Sequence, residues 1–297
     1  ILAASLLTAC GSSKKEQSVN EETAAARTQE TENLLANLKK IPSKGIMLGH
    51  HDDTVYGIGW EGEKGRSDVK SVCGDYPAVI SFDLGELELG NAANLDKVPF
   101  DSLKTADGVK IPVLFRPWHE HSGSWFWWGE KLCTPEEYKA LWHMTVDTLQ
   151  AKGVDNALYA YSPGTEPKDT TEYLKKYPGD ELIDVIGFDT YQFDRDAYLA
   201  GMDRALSIID SVGKAHNKVI AVTETGYEGI PDAKWWTGTL LPALEKYPLA
   251  YVLVWRNARE KVTHYYAPYP GQTSAEDFVE FYNNPKTLFA ADVNLYQ

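Results

Sequence analysis

Lys218-Val-Ile-Ala-Val222 is an apolar run that leads directly into the polar stretch Thr223-Glu224-Thr-Gly226. A strand that is apolar on both faces is typical of a parallel sheet covered by helices. Comparable runs begin at residues 45, 78, 109, 157, 184 and 250. Most of them recur at intervals of roughly 30 residues, as in a (β/α)8 TIM barrel, where about 250 residues are shared among eight units. The sequence therefore predicts an α/β fold of this class.

Helices are predicted between several of these strands. Thr134-Pro135-Glu136-Glu137 combines an N-cap, a proline at the first helical position and a capping-box glutamate, which predicts a helix to about Lys152. Apolar residues at helical spacing predict further helices from Glu30 to Pro42, from Asp196 to Ala215 and from Ser274 to Phe281. No Gly-x-Gly-x-x-Gly turn follows the first strand, which argues against a dinucleotide-binding fold.

The composition narrows the class of partner. The 297 residues carry a formal net charge of −14, and no run of Lys and Arg forms the basic patch that nucleic-acid binding requires. An uncharged polysaccharide needs no such patch. The 9 Trp and 17 Tyr supply rings with a polar edge, which are suited to stacking on sugars. We therefore expect a monomeric protein with a glycan partner and no nucleic acid.

The N-terminal residues resemble the end of a bacterial lipoprotein signal peptide. Leu7-Thr8-Ala9-Cys10 resembles a lipobox, and the polar residues that follow have no apolar period. We expect residues 1–29 to be a lipoprotein signal remnant and flexible tether, and residues 30–297 to form the barrel domain. Lipid on Cys10, which Gly11 follows, would place the protein at the outer membrane of a bacterial envelope, on its periplasmic or surface face. Whether Cys73 and Cys133 pair stays open from sequence alone.

Polar residues follow the predicted strands, at the positions where barrels carry their catalytic groups. The third run leads into Arg116-Pro-Trp-His119-Glu120-His121, and the sixth leads into Glu224. The other runs end in the groups His50-His51-Asp52-Asp53, Asp83-Leu-Gly-Glu86, Ser162-Pro-Gly-Thr-Glu166, Asp189-Thr-Tyr191 and Trp255-Arg256-Asn257.

Glu120 and Glu224 are the best candidates for a catalytic pair. Acid-assisted cleavage of a glycosidic bond needs one carboxyl group to protonate the leaving oxygen and a second to attack or assist at the anomeric carbon. Aromatic surroundings raise the pKa of the acid, whereas Arg or Tyr donors keep the nucleophile ionised. The adjacent run Trp125-Phe-Trp127-Trp128 favours a loop platform for sugar stacking, although such a run can also belong to a core. Trp235 and Trp236 are interpreted as packing residues.

A metal centre is the alternative use of the histidines. His50 to Asp53, His119 and His121 contain potential ligands. His50 and His51 are adjacent on one strand, so their side chains point to opposite faces, unlike a His-x-His pair. We therefore predict neither a metal nor a cofactor.

The strand-end motifs resemble glycoside hydrolase family 26, the β-mannanase family of retaining barrel hydrolases. Arg116-Pro-Trp-His119-Glu120 resembles its acid/base motif, and Thr223-Glu224-Thr-Gly226 its nucleophile motif. Gly187-Phe-Asp-Thr-Tyr191 resembles the strand whose Tyr hydrogen-bonds the nucleophile, and Trp255-Arg256-Asn257 the final strand. The resemblance implies hydrolysis of β-1,4-mannosidic bonds. We expect the substrate-binding residues to be His51, His119, Trp125, Tyr191, Trp255 and Arg256.

The resemblance also implies that one strand is missing. The family places its acid/base after strand four and its nucleophile after strand seven, whereas Glu120 and Glu224 follow the third and sixth visible strands. We expect the third strand-helix unit to be absent, because residues 88 to 108 contain no convincing strand. Three alternatives stay open: a mannan-binding lipoprotein with impaired catalysis, a relative acting on β-glucan or β-1,3-xylan, and an error in the sequence at this gap.

Overall fold

The computed structural model describes residues 26–83 and 104–296. The helices are α1 Gln29–Leu38, α2 Asp68–Cys73, α3 Pro135–Ala151, α4 Thr170–Tyr173, α5 Arg195–His216, α6 Leu241–Leu244 and α7 Ala275–Tyr282. The strands are β1 Ile46–His51, β2 Tyr56–Gly57, β3 Trp60–Glu61, β4 Val79–Ser81, β5 Val113–Phe115, β6 Ala157–Tyr161, β7 Val185–Tyr191, β8 Val219–Gly226, β9 Tyr251–Val254 and β10 Thr287–Leu288. A π-helical turn, Trp236–Leu240, leads into α6.

A curled parallel sheet forms the centre of the molecule. Its strands lie in the order β10-β1-β9-β8-β7-β6-β5, and β4 also pairs with β1. All seven predicted strand runs are present as β1 and β4 to β9, and the pairs among them are parallel. The prediction of a barrel-class α/β fold is confirmed.

The curled sheet has two edges within the described residues. There β4 pairs with β1 alone, and β5 pairs with β6 alone. The predicted absence of the third strand-helix unit concerns residues 88 to 108, of which 84–103 lie outside the described part of the chain. Residues 104–110 form a turn closed by an antiparallel bridge between Lys104 and Lys110. Residues 104–108 are the described part of this segment, and they contain no parallel strand that pairs with β4 or β5.

The helices begin where the sequence places their caps. Thr134 accepts a hydrogen bond from the backbone of Glu137, whose side chain accepts one from the backbone of Thr134, so the predicted capping box opens α3. Helices α1, α5 and α7 also match their predicted segments. Before α1, Arg27 forms a two-pronged ion pair with Asp184 at 2.8 and 2.7 Å. The predicted lipidation site and tether between residues 1 and 25 lie outside the described residues.

The strands are buried on both faces, as their apolar sequences require. On β6, Leu158 and Ala160 point into the barrel interior, where α1 closes one end with Leu34 and Leu38. Tyr159 and Tyr161 alternate with them and pack outward under the helices. In β1, β7 and β8 polar residues replace apolar ones where the strands reach their carboxyl ends, and this end holds the candidate site.

Cys73 and Cys133 are both free cysteines, so the structure does not pair them. Within residues 26–83 and 104–296, no helix combines the length and the apolar character needed to cross a membrane.

Candidate active site

Arg116 lies at the centre of a group of polar side chains at the carboxyl ends of β5 to β8. Its Nη1 donates hydrogen bonds to Oδ2 of Asp189 at 2.6 Å and to Oγ of Ser162 at 3.1 Å. Its Nη2 donates to Oε2 of Glu224 at 2.7 Å. The guanidinium therefore bridges two carboxylates that come from neighbouring strands. Burial alone would lower the pKa of Arg116, but the charges of Asp189 and Glu224 outweigh burial and raise it.

A β-bulge aims Glu224 at this group. Phe188 of β7 lies opposite Val222 of β8, and Asp189 lies opposite Glu224, so Thr223 has no counterpart on β7. Strict alternation would send Glu224 to the helix-facing side with Val222. The extra residue reverses the alternation beyond it, so that Thr223 and Glu224 both face the interior. Thr225 then points outward, where its hydroxyl hydrogen-bonds that of Tyr198 on α5 at 2.8 Å.

The carboxyl group of Glu224 accepts hydrogen bonds from two donors. Tyr191 donates its phenolic hydrogen to Oε1, and Arg116 donates to Oε2. The carboxylate is only 5% exposed, so these bonds replace the water that an ionised group would otherwise need. Burial and the charge of Glu224 raise the pKa of Tyr191 well above its usual value, which keeps this hydroxyl a donor.

Asp189 stabilises the same arrangement through its hydrogen bond with Arg116. Its Oδ1 accepts hydrogen bonds from Ser162 at 3.0 Å and from Thr223 at 2.8 Å, while Oδ2 accepts from Arg116. Asp189 is buried. Because all three of these partners are donors, the group fixes the guanidinium that in turn fixes Glu224.

Glu120 occupies a different environment. Its Oε2 accepts a hydrogen bond from the indole Nε1 of Trp125 at 2.7 Å. Burial, and then the nearby charge of Glu224, raise the pKa of Glu120 to about 7, although the bond from Trp125 and the charge of Arg116 act in the opposite direction. A carboxyl group with this pKa can give and take a proton near neutrality. The two glutamates therefore differ as an acid/base and a nucleophile must.

The turn that carries Glu120 has an unusual backbone. Trp118 and Glu120 have φ values of +53° and +52°, a left-handed conformation that few residues other than glycine adopt. The backbone N–H of Glu120 donates to the carbonyl of Ser162 at 2.8 Å, and the Tyr138 hydroxyl donates to the carbonyl of Trp118 at 2.8 Å. Trp128 Nε1 donates to the carbonyl of His119 at 2.7 Å. These bonds hold the turn in place.

His119 lies beside the two carboxylates of the bridge. Its imidazole packs against Phe126 and Trp128, with ring centroids 5.2 and 6.4 Å away. Burial and the positive charge of Arg116 lower the pKa of His119 well below its usual value, so the ring is neutral. A neutral imidazole at this position can hydrogen-bond a sugar hydroxyl without adding charge to the site.

The run of aromatic residues after Glu120 serves two purposes. Trp125 and Trp127 are 59% and 47% exposed, as a platform for sugar rings would be. Trp128 is fully buried, and it stacks on Phe126 at a centroid distance of 4.3 Å. The platform interpretation stays a prediction for the two exposed rings, whereas Trp128 belongs to the core. Trp235 and Trp236 are also fully buried, which confirms their interpretation as packing residues.

Trp255 and His51 form one wall of the site. The two rings are stacked, with centroids 4.1 Å apart and an interplanar angle of 20°. His51 Nδ1 shares a hydrogen bond of 2.7 Å with Oγ of Ser81. Its Nε2 lies 3.2 Å from Asp52 and 3.4 Å from Asp83. Burial lowers the pKa of His51, but the two carboxylates outweigh it and raise the pKa to about 9, so the ring is protonated.

Arg256 lies on the outer side of this wall. Its Nη2 donates to Glu260 at 2.7 Å, and its Nη1 donates to the hydroxyl of Tyr56 at 3.4 Å. Tyr56 in turn donates to Asp52. Arg256 is thus placed by a chain of bonds that continues to His51. The adjacent Asn257 is buried and hydrogen-bonds Asp68 and backbone groups, so it stabilises the loop instead of facing the site.

The geometry also tests the metal alternative. His119, Asp189 and Glu224 each offer a ligand atom within 4.8 Å of the others. Arg116 already places a positive charge between the two carboxylates, and a divalent ion would have to compete with this guanidinium. On the first strand, His50 instead bonds Asp53 at 2.7 Å on the side away from His51. The expectation that no metal or cofactor takes part stays a prediction.

The structure brings together all of the site residues proposed from the sequence except Cys10, which lies outside the described residues. It adds Arg116, Asp189, Ser162 and Thr223, which sequence reasoning noted at strand ends without assigning them a role. Their position directly after the apolar runs of the sequence was the information that could have selected them.

Known proteins resemble this chain in sequence and in fold. The glycosyl hydrolase family 26 model matches residues 91–264. A solved GH26 β-mannanase from Bacteroides ovatus is 53% identical, with a TM-score of 0.87, over 91% of this chain and 98% of that one. Mannan endo-1,4-β-mannosidases of Bifidobacterium adolescentis and Bacillus subtilis are 34% and 31% identical over 65% and 56% of this chain. The chain spans only 21% and 44% of those two curated relatives. The protein belongs to glycosyl hydrolase family 26.

Proposed function

We propose that this protein is a retaining endo-β-1,4-mannanase that acts on mannan, galactomannan or glucomannan. Glu120 is the acid/base and Glu224 is the nucleophile. The observation that carries the proposal is the unequal treatment of the two carboxyl groups. Glu224 is bound by Tyr191 and Arg116, whereas Glu120 has a single indole donor and a pKa raised to about 7.

The proposed reaction has two displacements. In the first, a carboxylate oxygen of Glu224 attacks the anomeric carbon, and Glu120 gives its proton to the departing glycosidic oxygen. The products are a departing chain with a free hydroxyl at its new non-reducing end and a mannosyl ester of Glu224, and the new reducing end forms only in the second displacement. In the second, ionised Glu120 removes a proton from water, whose oxygen attacks the anomeric carbon. The ester bond breaks, and Glu224 and protonated Glu120 are restored with the original anomeric configuration.

The surrounding residues have supporting roles in this proposal. Tyr191 and Arg116 orient the attacking carboxylate, and the neutral His119 is placed to hydrogen-bond the sugar. Trp255 offers one ring face to the sugar in the reacting position, while His51 covers the other. Trp125 and Trp127 offer exposed rings on the side of the leaving group. Arg256 binds a sugar of the polysaccharide that lies farther from the reacting position.

Mannan is the favoured substrate. The relatives from Bifidobacterium adolescentis and Bacillus subtilis are named as mannanases, and so is the solved structure from Bacteroides ovatus. An endoglucanase H of Acetivibrio thermocellus is 30% identical over 86 residues, which cover 27% of this chain. This shorter match gives less support to β-glucan as the substrate. Neither of these named activities points to β-1,3-xylan.

The test uses the purified protein on galactomannan, with mixed-linked β-glucan and β-1,3-xylan in parallel. We expect new reducing ends from galactomannan, and β-configured products when hydrolysis is followed directly by NMR. Glu224→Gln and Glu120→Gln keep the size of each side chain and should each lower the rate by at least about 100-fold. A wild type that is retained by mannan in affinity electrophoresis but releases no more reducing ends than Glu224→Gln would instead establish the binding-protein alternative.

We also propose that Cys10 carries lipid and that the protein lies in a bacterial envelope as an outer-membrane lipoprotein. The lipobox-like sequence before Cys10 supports this proposal. Metabolic labelling with a radioactive fatty acid should mark the wild type and leave Cys10→Ser unmarked. Fractionation should find the label in outer membranes, and label in the soluble fraction alone would contradict the proposal.

A further inference from the structure

We propose that Glu166 is a positioning residue for the acid/base: through Ser122 it clamps the turn that carries Glu120 to the loop that follows β6. This inference deepens the proposed function and rests on it. Glu166 was seen in the sequence only as part of a strand-end motif, and no role was assigned to it. Three observations carry the inference: the strained turn, the two hydrogen bonds of the Ser122 hydroxyl and the close fit of Glu166 over Gly164.

The turn needs a clamp because its conformation is costly. Left-handed backbone at Trp118 and Glu120 is energetically unfavourable, and it persists only where neighbouring structure enforces it. The bonds already described hold the backbone up to Glu120. Beyond it, the Gly123 N–H donates to the Glu120 carbonyl at 2.9 Å, which closes a tight turn with Ser122 inside it.

Ser122 joins this turn to the neighbouring loop with both of its hydrogen-bonding functions. Its hydroxyl donates to Oε2 of Glu166 at 2.7 Å. The same oxygen accepts from the backbone N–H of Gly164 at 2.8 Å. A hydroxyl with a committed acceptor and a committed donor has a fixed orientation. The acid/base turn is therefore fastened to the β6 loop two residues after Glu120.

The β6 loop is shaped to hold Glu166 in this role. A side chain on Gly164 would place its Cβ 2.2 Å from Oε2 of Glu166, so the carboxylate occupies the space that the glycine leaves open. Arg204 of α5 donates to the carbonyl of Thr165 at 2.9 Å and fastens the loop from its other side. Glu166 itself is exposed, so its charge is not required for packing.

Glu166 also acts on Glu120 through its charge. Its negative charge contributes to the raised pKa of Glu120, after the larger effects of burial and of Glu224. The groups that face Glu120 are Arg116 and Trp125 from its own segment, Glu166 from the β6 loop, Asp189 and Tyr191 from β7, and Glu224 from β8. Among them, Glu166 is the exposed carboxylate whose charge can be removed without cutting a contact to Arg116 or Glu224.

The experiment separates the clamp from the charge with two substitutions of one residue. Glu166→Gln keeps an oxygen that can accept from Ser122, whereas Glu166→Ala removes it. We expect Glu166→Gln to keep kcat at its plateau within about twofold, and Glu166→Ala and Ser122→Ala to lower kcat by about 10-fold with little change in KM. The Ser122→Ala/Glu166→Ala double variant should be no slower than either single variant, because both cut the same connection.

The pH profile gives the second readout. Glu166→Gln should move the alkaline limb of kcat/KM to lower pH, since it removes a negative charge that opposes ionisation of Glu120. Glu228→Gln is the matched control: it removes a negative charge from the loop after β8, where Glu228 pairs with Lys261 and His264 and does not contact Ser122. Its profile should match the wild type.

The outcomes distinguish this inference from the proposed function. An active wild type whose Glu166→Ala variant keeps full kcat, or whose double variant shows additive losses, overturns the clamp. An inactive wild type refutes the proposed function instead, and 13C NMR titration of Glu120 then tests the inference without substrate. Glu166→Gln should lower the Glu120 pKa through the lost charge, and Glu228→Gln should not. Glu166→Ala, which also cuts the bond to Ser122, should give a Glu120 pKa different from that in Glu166→Gln, and equal values in these two variants overturn the clamp.

Discussion

Nη2 of Arg116 lies 2.7 Å from Oε2 of Glu224, and the same guanidinium reaches Asp189 with its other nitrogen at 2.6 Å. Glu224 is buried and the Arg116 side chain is 20% exposed, so loss of Arg116 would leave a buried carboxylate without its compensating charge. Arg116 thus both neutralises and aims the carboxylate, and it ties β5, β7 and β8 together at the end of the barrel where a sugar would bind.

Arg116→Lys should therefore impair both activity and stability. An ammonium cannot bridge Asp189 and Glu224 as the planar guanidinium does. We expect kcat/KM on galactomannan to fall by at least about 100-fold, and the free energy of unfolding in urea to fall by about 2 kcal/mol or more. Arg259→Lys, which alters an exposed pair with Glu61 at 2.7 Å, is the control and should change neither quantity appreciably. Equal behaviour of the two variants would contradict the role of Arg116.

Tyr191→Phe removes one of the two donors to Glu224 and keeps the ring. We expect kcat to fall by about 10- to 100-fold because the attacking oxygen loses its orientation, with a smaller change in KM. Tyr198→Phe removes a buried tyrosine hydroxyl that bonds Thr225 outside the site. This control should cost about 1 kcal/mol of stability and leave kcat unchanged. A Tyr191→Phe enzyme with normal kcat would exclude the hydrogen bond as a catalytic feature.

Trp125→Phe should shift the pH dependence in a defined direction. The indole N–H stabilises ionised Glu120, so its loss raises the Glu120 pKa above the present value of about 7. The first displacement needs protonated Glu120, and the alkaline limb of kcat/KM should move to higher pH. Trp127→Phe changes a neighbouring exposed ring that packs against Trp118 and does not bond Glu120, and the alkaline limb of this variant should stay in place. A shift to lower pH in Trp125→Phe would refute the assignment.

Glu120→Gln tests the same carboxyl group through stability. The folded-state pKa of about 7 lies above the ordinary value of 4.5, so the wild type is fully stabilised below pH 4.5 and loses stability as the pH rises through 7. The amide that replaces the carboxyl group does not titrate. The variant should therefore become progressively more stable than the wild type between these two pH values, by on the order of 1 to 3 kcal/mol above pH 7.

Urea unfolding at pH 4.5, 6 and 8 measures this difference. Because catalysis is not involved, the result tests the environment of Glu120 independently of substrate. A constant difference between wild type and Glu120→Gln at all three pH values would show that the carboxyl has an ordinary pKa. Glu136→Gln, on the exposed first turn of α3, is the control and should follow the wild type.

The sequence determined the elements and their order. Apolar runs such as Lys218 to Val222 can only be buried on both faces, and Thr134 to Glu137 can satisfy the first amides of α3 without any tertiary partner. The two glutamates were proposed in the same way, because residues that follow the apolar runs of barrel strands lie at the end where such folds carry their catalytic groups. These inferences need only local periodicity and the parallel arrangement of strands.

Only the tertiary structure decided how the glutamates differ. By strand alternation Glu224 would face the helices with Val222, and the bulge at Thr223 that turns it inward depends on its pairing with β7. The central position of Arg116 likewise depends on three strands that are distant in sequence. The raised pKa of Glu120 results from burial, from Glu224 and from Glu166, which local sequence does not bring together. Local patterns fix which residues reach the end of a strand, whereas their charges and directions are set by neighbours that only folding supplies.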